Sequence, residues 1–251
     1  MFRTRLHAAR LLPIALGIVA LAFGPWAAAS ASSPAAPTIV PLSQGRVGRW
    51  AYPQATATVR ATPSAHARAV GRLRFLTPDG LGQAQIYEAL RKERVPSTGV
   101  TWIDVSIPGR PNGKTGWVRA SALGPLNTTY GLILVNRERF RITLYNKAGK
   151  AIFTAPVGVG RPALPTPAGH FYVLEKFSLI DESELGPFAL ATSAYAPTLS
   201  EWPGGGVVGI HGTDQPQLIP GRPSHGCVRL VNSNITRLWH MVKLGTLIHI
   251  I

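Results

Sequence analysis

Residues 101–123, TWIDVSIPGRPNGKTGWVRASAL, set Ile103, Val105 and Ile107 in alternation with Trp102, Asp104 and Ser106, the period of two that a half-buried strand requires. Pro108 to Lys114 then form a loop carrying the turn dipeptide Asn112-Gly113, and Trp117-Val118 restart a strand. The same punctuation returns downstream. GLILVNRERFRITLYN, residues 131–146, reads as an apolar strand, a polar turn at Asn136 to Glu138, and a second strand in which Phe140, Ile142 and Leu144 alternate with Arg139, Arg141 and Thr143. Lys147-Ala148-Gly149 turns the chain before AIFTAPVGVG, and HFYVLEKF, VVGIHG and TLIHII supply further strands. Helical spacing is clear near the C-terminal end, where Ile235, Leu238, Trp239 and Val242 recur at i, i+3, i+4 and i+7, with Asn234 as the predicted cap and Gly245 as the stop. The predicted fold is mainly β, with one or two short helices.

Arg3, Arg5 and Arg10 precede an apolar run from Leu11 to Phe23 and then a small-residue tract, which predicts a signal peptide over residues 1–31 with Ala29-Ser30-Ala31 as the cleavage site. That run of 13 residues is shorter than the roughly 20 a spanning helix needs. An uncleaved anchor extending into the alanine tract is the alternative, and no later stretch is long enough to span. Residues 32–45, rich in Ala, Ser and Pro, read as a flexible linker. Short strands and tight turns over 46–126 suggest a small β-barrel, and ATVRATPSAHARAVGRL together with TGWVRASAL resembles bacterial SH3-like domains. Residues 127–251 form a second, β-rich domain. Trp102 and Trp117 are expected to pack in the barrel core, at least one of them; an aromatic groove for a wall polymer is the functional alternative.

The formal charge is +15, and loss of residues 1–31 removes three arginines and no acid, leaving +12. The basic residues are scattered and form no arginine-rich arm, which points to an acidic polymer or a membrane surface and not to nucleic acid. A merely soluble basic surface is the plain alternative.

Cys227 is the single cysteine, so no intrachain disulfide can form. In an exported chain such a residue is a reactive thiol, an intermolecular bridge or a small buried hydrophobe, and its neighbours decide among these. It lies in SHGCVRL, 16 residues after His211 of IHGTDQ. A thiol with an ordinary pKa of about 8.5 needs a basic partner to act as a nucleophile, and a loop can bring His211 to it; His225 is too near in sequence to point the same way. Gly226, lacking a Cβ, allows an unusual backbone conformation in which the amides of residues 226 and 227 converge on a developing oxyanion. Zinc held by His211, His225 and Cys227 is a competing chemistry, but the spacing matches no recognisable metal pattern, so neither metal nor cofactor is expected.

His211-Gly212-Thr213 followed by Ser224-His225-Gly226-Cys227-Val228-Arg229 resembles the signature of the L,D-transpeptidases, the catalytic domain also called YkuD. VGVGRPALPTPAGHFYV, residues 157–173, is similar to that family's strand, glycine, Thr-Pro-x-Gly, strand segment. The likeness covers about residues 129–251. It implies that Cys227 is the nucleophile and His211 the general base and later acid, held by a backbone carbonyl so that no aspartate is needed. Asp214 is then a surface residue. Ser224, His225, Gly226 and Gly212 occupy positions of the pocket and oxyanion region, with loop-building as the other reading for Ser224. The family pattern often has Asn where Arg229 stands; Arg229 either grips a substrate carboxylate or ties the loop down. Gly204, Gly205 and Gly206 imply a sharply turned or mobile segment, while His170, His240 and His249 read as structural.

The resemblance implies an exported bacterial cell-envelope enzyme acting on peptidoglycan stem peptides through a thioester, forming 3→3 crosslinks, and acylated by carbapenem-type β-lactams. The alternatives are an L,D-carboxypeptidase, with water as acceptor, and a non-catalytic wall-binding protein. An NlpC/P60-type peptidase is disfavoured because those families place the cysteine before the histidine.

Overall fold

The first sheet grows from the alternating strands read above. In the computed structural model, which describes residues 38–77, 82–179, 184–199 and 205–251, its strands are β1 (Thr38–Pro41), β2 (Val47–Ala51), β3 (Thr58–Arg60), β4 (Ala69–Arg72), β5 (Tyr87–Arg94), β6 (Thr101–Ser106), β7 (Thr115–Arg119) and β8 (Asn127–Tyr130). Their order is β4-β3-β7-β6-β5-β2-β8, with β1 added to β5. The predicted signal peptide lies outside the described residues.

Two expectations change here. Thr38–Pro41, placed in the linker by composition, pairs with β5 from Thr38 opposite Arg94 to Pro41 opposite Arg91. All four residues are exposed, so backbone pairing rather than apolar burial holds this edge strand, and no hydrophobic pattern marks it. Asn127–Tyr130, counted with the second domain, instead pairs with Val47–Trp50 of the first sheet. Trp102 and Trp117 are both buried, at 5% and 6% exposure, and the guanidinium groups of Arg119 and Arg91 lie over their rings, so neither offers an open aromatic face.

The second sheet comprises β9 (Leu132–Asn136), β10 (Arg141–Tyr145), β11 (Ala151–Pro156), β12 (Gly158–Gly160), β13 (Gly169–Ser178), β14 (Phe188–Tyr195), β15 (Val207–His211), β16 (Gly221–Ser224), β17 (Val228–Arg229) and β18 (Leu247–Ile250), with helix α1 (Asn232–Met241) between the last two. Its order is β11-β10-β9-β18-β13-β14-β15-β17-β12-β16. Ile133, Ile142, Val173, Leu190 and Ile210 fill its core, and α1 adds Ile235 and Leu238. The helix begins earlier than predicted, so Asn234 lies inside it, and it has no side-chain cap because the cap position falls on Val231, whose side chain offers no acceptor. The β9–β10 turn extends to Phe140, which takes φ 48° and is not part of the second strand. Among the described residues, no helix is long and apolar enough to cross a membrane.

The two sheets share a buried cluster of Trp50, Ile86, Tyr172 and Leu174. Trp50 Nε1 donates to Thr129 Oγ1 at 3.0 Å, that hydroxyl donates to the Leu244 carbonyl at 2.8 Å, and Tyr172 Oη donates to the Ile86 carbonyl at 3.1 Å. Gly245, the predicted helix stop, has φ 73°, and a Cβ there would run into the Trp50 indole.

Candidate active site

Parallel pairing of β15 with β17, Ile210 opposite Val228 and His211 opposite Arg229, brings the two sequence motifs side by side. The motif residues His211, Ser224, His225, Gly226, Cys227 and Arg229 line one pocket of about 290 Å³, together with Ala196, Leu199 and Gly206. Gly212 lies behind the imidazole and not on the pocket surface. Its carbonyl is 2.7 Å from His211 Nδ1. A carbonyl only accepts, so Nδ1 carries the ring proton and Nε2 keeps its lone pair.

The thiol and the imidazole flank Gly209. A Cβ on that residue would stand 3.5 Å from His211 Cδ2 and 3.8 Å from Cys227 Sγ, and the Gly209 amide donates to Cys227 Sγ at 3.4 Å. Burial lowers the His211 pKa to about 4; the bond to Gly212 opposes this and the charge of Arg229 adds to it. Burial likewise pushes the Cys227 thiol up, against the Gly209 amide and the positive charge of Arg229. Near neutrality the resting pair is therefore a neutral imidazole and a protonated thiol.

Gly226 takes φ 129°, the unusual conformation predicted for it. Its amide, however, donates to Ser224 Oγ at 3.1 Å, and that hydroxyl donates to the Cys227 carbonyl at 2.6 Å. Ser224 is thus the internal brace of the Ser-His-Gly-Cys turn, and in this state the Gly226 amide is turned to it and away from any oxyanion. His225 is half-buried at the pocket rim; burial, Arg161 and Arg229 all lower its pKa. Arg229 lines the pocket, and its Nε is buried with no hydrogen-bond partner. Asp214 is exposed.

Two further residues hold the site, and neither was singled out from the sequence. Thr166, of the Thr-Pro-x-Gly segment, accepts from the Gly160 amide at 2.9 Å and donates to the Gly226 carbonyl at 2.8 Å, fixing the turn before the cysteine. Asn232, the first residue of α1, accepts from the Thr213 amide at 2.9 Å, and its Oδ1 lies where a Cβ on Gly212 would have to go. Its side chain serves the His211 loop. The Thr-Pro-x-Gly motif was a signal for Thr166; Asn232 had none.

A β-rich fold carrying a thiol and a carbonyl-held imidazole in one pocket is suited to acyl transfer. The model of the YkuD L,D-transpeptidase catalytic domain matches residues 130–250. A Bacillus subtilis (strain 168) protein bearing the name L,D-transpeptidase YkuD is 30% identical over 143 residues, 57% of this chain and 71% of that one. An Escherichia coli (strain K12) protein bearing the name L,D-transpeptidase YbiS is 26% identical over 223 residues, 78% of this chain and 70% of the other. Among solved structures, a mutant of Enterococcus faecium L,D-transpeptidase matches with a TM-score of 0.38 and 27% identity, covering 48% of this chain and 49% of that one. An L,D-transpeptidase from Mycobacterium smegmatis matches at 0.39 and 16%, covering 61% and 90%. The chain belongs to the YkuD family of L,D-transpeptidases.

Proposed function

We propose that this protein is an exported peptidoglycan L,D-transpeptidase that forms 3→3 crosslinks through a thioester on Cys227. His211 Nε2 takes the thiol proton as Sγ attacks the carbonyl carbon of the third residue, a diamino acid, of a donor tetrapeptide stem. The bond to the terminal D-alanine breaks, and His211 returns the proton to the departing amine. An amine of a neighbouring stem then attacks the thioester, gives its proton to His211, and the released thiolate takes that proton back. The observation that carries this reading is the placement of His211 and Cys227 about Gly209 with Nδ1 tied to a carbonyl, which leaves Nε2 as the base.

The Cys227 amide is the oxyanion donor in this reading, and Arg229, which lines the pocket, grips a stem carboxylate through its guanidinium. Residues 46–126 are read as the SH3-like domain and 127–251 as the catalytic domain, with the strand Asn127–Tyr130 joining the two through its pairing with β2; the signal-like residues 1–31 support export to the cell envelope. Incubation of the purified protein with a tetrapeptide-containing muropeptide, with and without an acceptor stem, tests the assignment. A crosslinked dimer plus free D-alanine is expected. Tripeptide and D-alanine alone in the presence of acceptor identify a carboxypeptidase, and no D-alanine release refutes both.

A further inference from the structure

The β6–β7 hairpin of the first sheet reaches across to the pocket. At its tip, Arg110 Nε donates to the Ala196 carbonyl at 2.8 Å, and Nη2 donates to the carbonyls of Leu199 and, at 3.0 Å, of Gly205. The guanidinium also lies over the Tyr195 ring, 5.3 Å from its centroid. Two residues on, Asn112 makes a reciprocal pair with the Tyr195 backbone: Nδ2 donates to its carbonyl at 2.8 Å, and Oδ1 accepts from its amide at 2.9 Å. One hairpin tip therefore collects the backbone at the end of β14 and on both sides of the excursion that leads to β15.

Those backbone groups belong to the pocket wall. Ala196, Leu199 and Gly206 line the cavity that holds Cys227, and a Cβ on Gly226 would stand 3.6 Å from Ala196 Cβ. The excursion is closed by its own bond from the Ala196 amide to the Gly206 carbonyl at 2.8 Å. Gly206, at φ 80°, is required for the arrangement, because a Cβ would overlap both the Leu199 carbonyl and the Arg110 guanidinium. Three carbonyls that leave the sheet need donors from elsewhere, and a planar, permanently charged fork serves them from nitrogens held apart in a fixed geometry that a single ammonium nitrogen on a flexible stem does not reproduce.

We propose that Arg110, supported by Asn112, is a positioning residue of the catalytic pocket: the first sheet acts as a fixed brace for the wall facing Cys227 rather than as a detachable wall-binding module. The inference rests on reading this pocket as the active site, and the brace sets how well a donor stem is accommodated without changing the thiol itself.

Hydrogen–deuterium exchange of the full chain tests it with a readout independent of substrate, applied to wild type, Arg110→Ala and Arg110→Lys. Exchange in peptides covering 195–199 and 205–208 is expected to rise at least about tenfold in Arg110→Ala and by a smaller factor in Arg110→Lys, which keeps the charge but loses the fork. Alkylation of Cys227 by iodoacetamide is expected to change less than about threefold, while KM for a tetrapeptide donor rises several-fold more than kcat falls. Unchanged exchange in those segments overturns the proposal, as does Arg110→Lys behaving as wild type. Should Arg110→Ala fail to fold, Arg110→Lys, which retains the aliphatic packing, decides on the same readout. Absence of any transpeptidation by wild type would refute the functional reading while the exchange result still decides the brace.

Discussion

Thr166 donates its hydroxyl hydrogen to the Gly226 carbonyl at 2.8 Å while accepting from the Gly160 amide, so one buried side chain ties the end of β12 to the residue before the cysteine. Thr166→Val keeps the shape and strands both backbone groups. Loss of about 1–3 kcal/mol of stability is expected by chemical denaturation. Donor turnover is expected to fall further than this loss explains, because the turn carrying Cys227 is no longer fixed; wild-type turnover would count against this coupling.

Gly209→Ala places a methyl group between His211 and Cys227 at ordinary contact distances, so the fold should accept it. Activity is expected to drop about tenfold to a hundredfold with a small change in Tm, since misplacement of reacting groups by about 1 Å carries a cost of that order. Paired kinetics and thermal melts check this.

Burial raises the Cys227 thiol, and His211 at about 4 stays neutral through the physiological range, so the resting enzyme lacks a thiolate–imidazolium pair. The rate of iodoacetamide alkylation should climb with pH and reach half its maximum above the pH at which an ordinary thiol does. A plateau of reactivity between about pH 5 and 7, the mark of a stable ion pair, would contradict the neutral assignment.

Glu88, buried on β5, has its pKa raised by burial from 4.5 to about 7 against a hydrogen bond from Ser43. The folded state keeps this proton after the unfolded chain has lost it. Its contribution is therefore greatest below about 4.5 and is lost as pH rises through about 7. Glu88→Gln should change stability little at pH 5 relative to its effect at pH 8, where it should stabilise by about 1–3 kcal/mol. Denaturant titrations at the two pH values measure the difference, and equal effects at both would refute the burial argument.

The strands with clean alternation, such as β6 and β10, were legible because branched apolar residues recur at every second position, although the opposite face of β6 is covered too, with Trp102 and Asp104 buried; the two motifs carrying His211 and Cys227 could be read as one pocket. β14 was not legible: Ala189, Ala191 and Ala194 interrupt any apolar period, and the strand is central, so both faces are covered. The edge strand Thr38–Pro41 had no burial signal to give. The supporting residues were hidden for another reason. Asn232 and Arg110 act on backbone amides and carbonyls 19 and 86 residues away, and such partners carry no side-chain signature; Thr166, 60 residues from the carbonyl it serves, was marked only by its motif. The Gly226 amide shows the same limit, since its engagement by Ser224 depends on how the turn closes.

Intact-mass spectrometry after exposure to a carbapenem, with wild type beside Cys227→Ala, is the most direct measurement of the proposed covalent chemistry. The account predicts a gain equal to one β-lactam on wild type and none on Cys227→Ala. An unmodified wild-type mass, under conditions in which another family member is acylated, or an equal gain on both proteins, would contradict it.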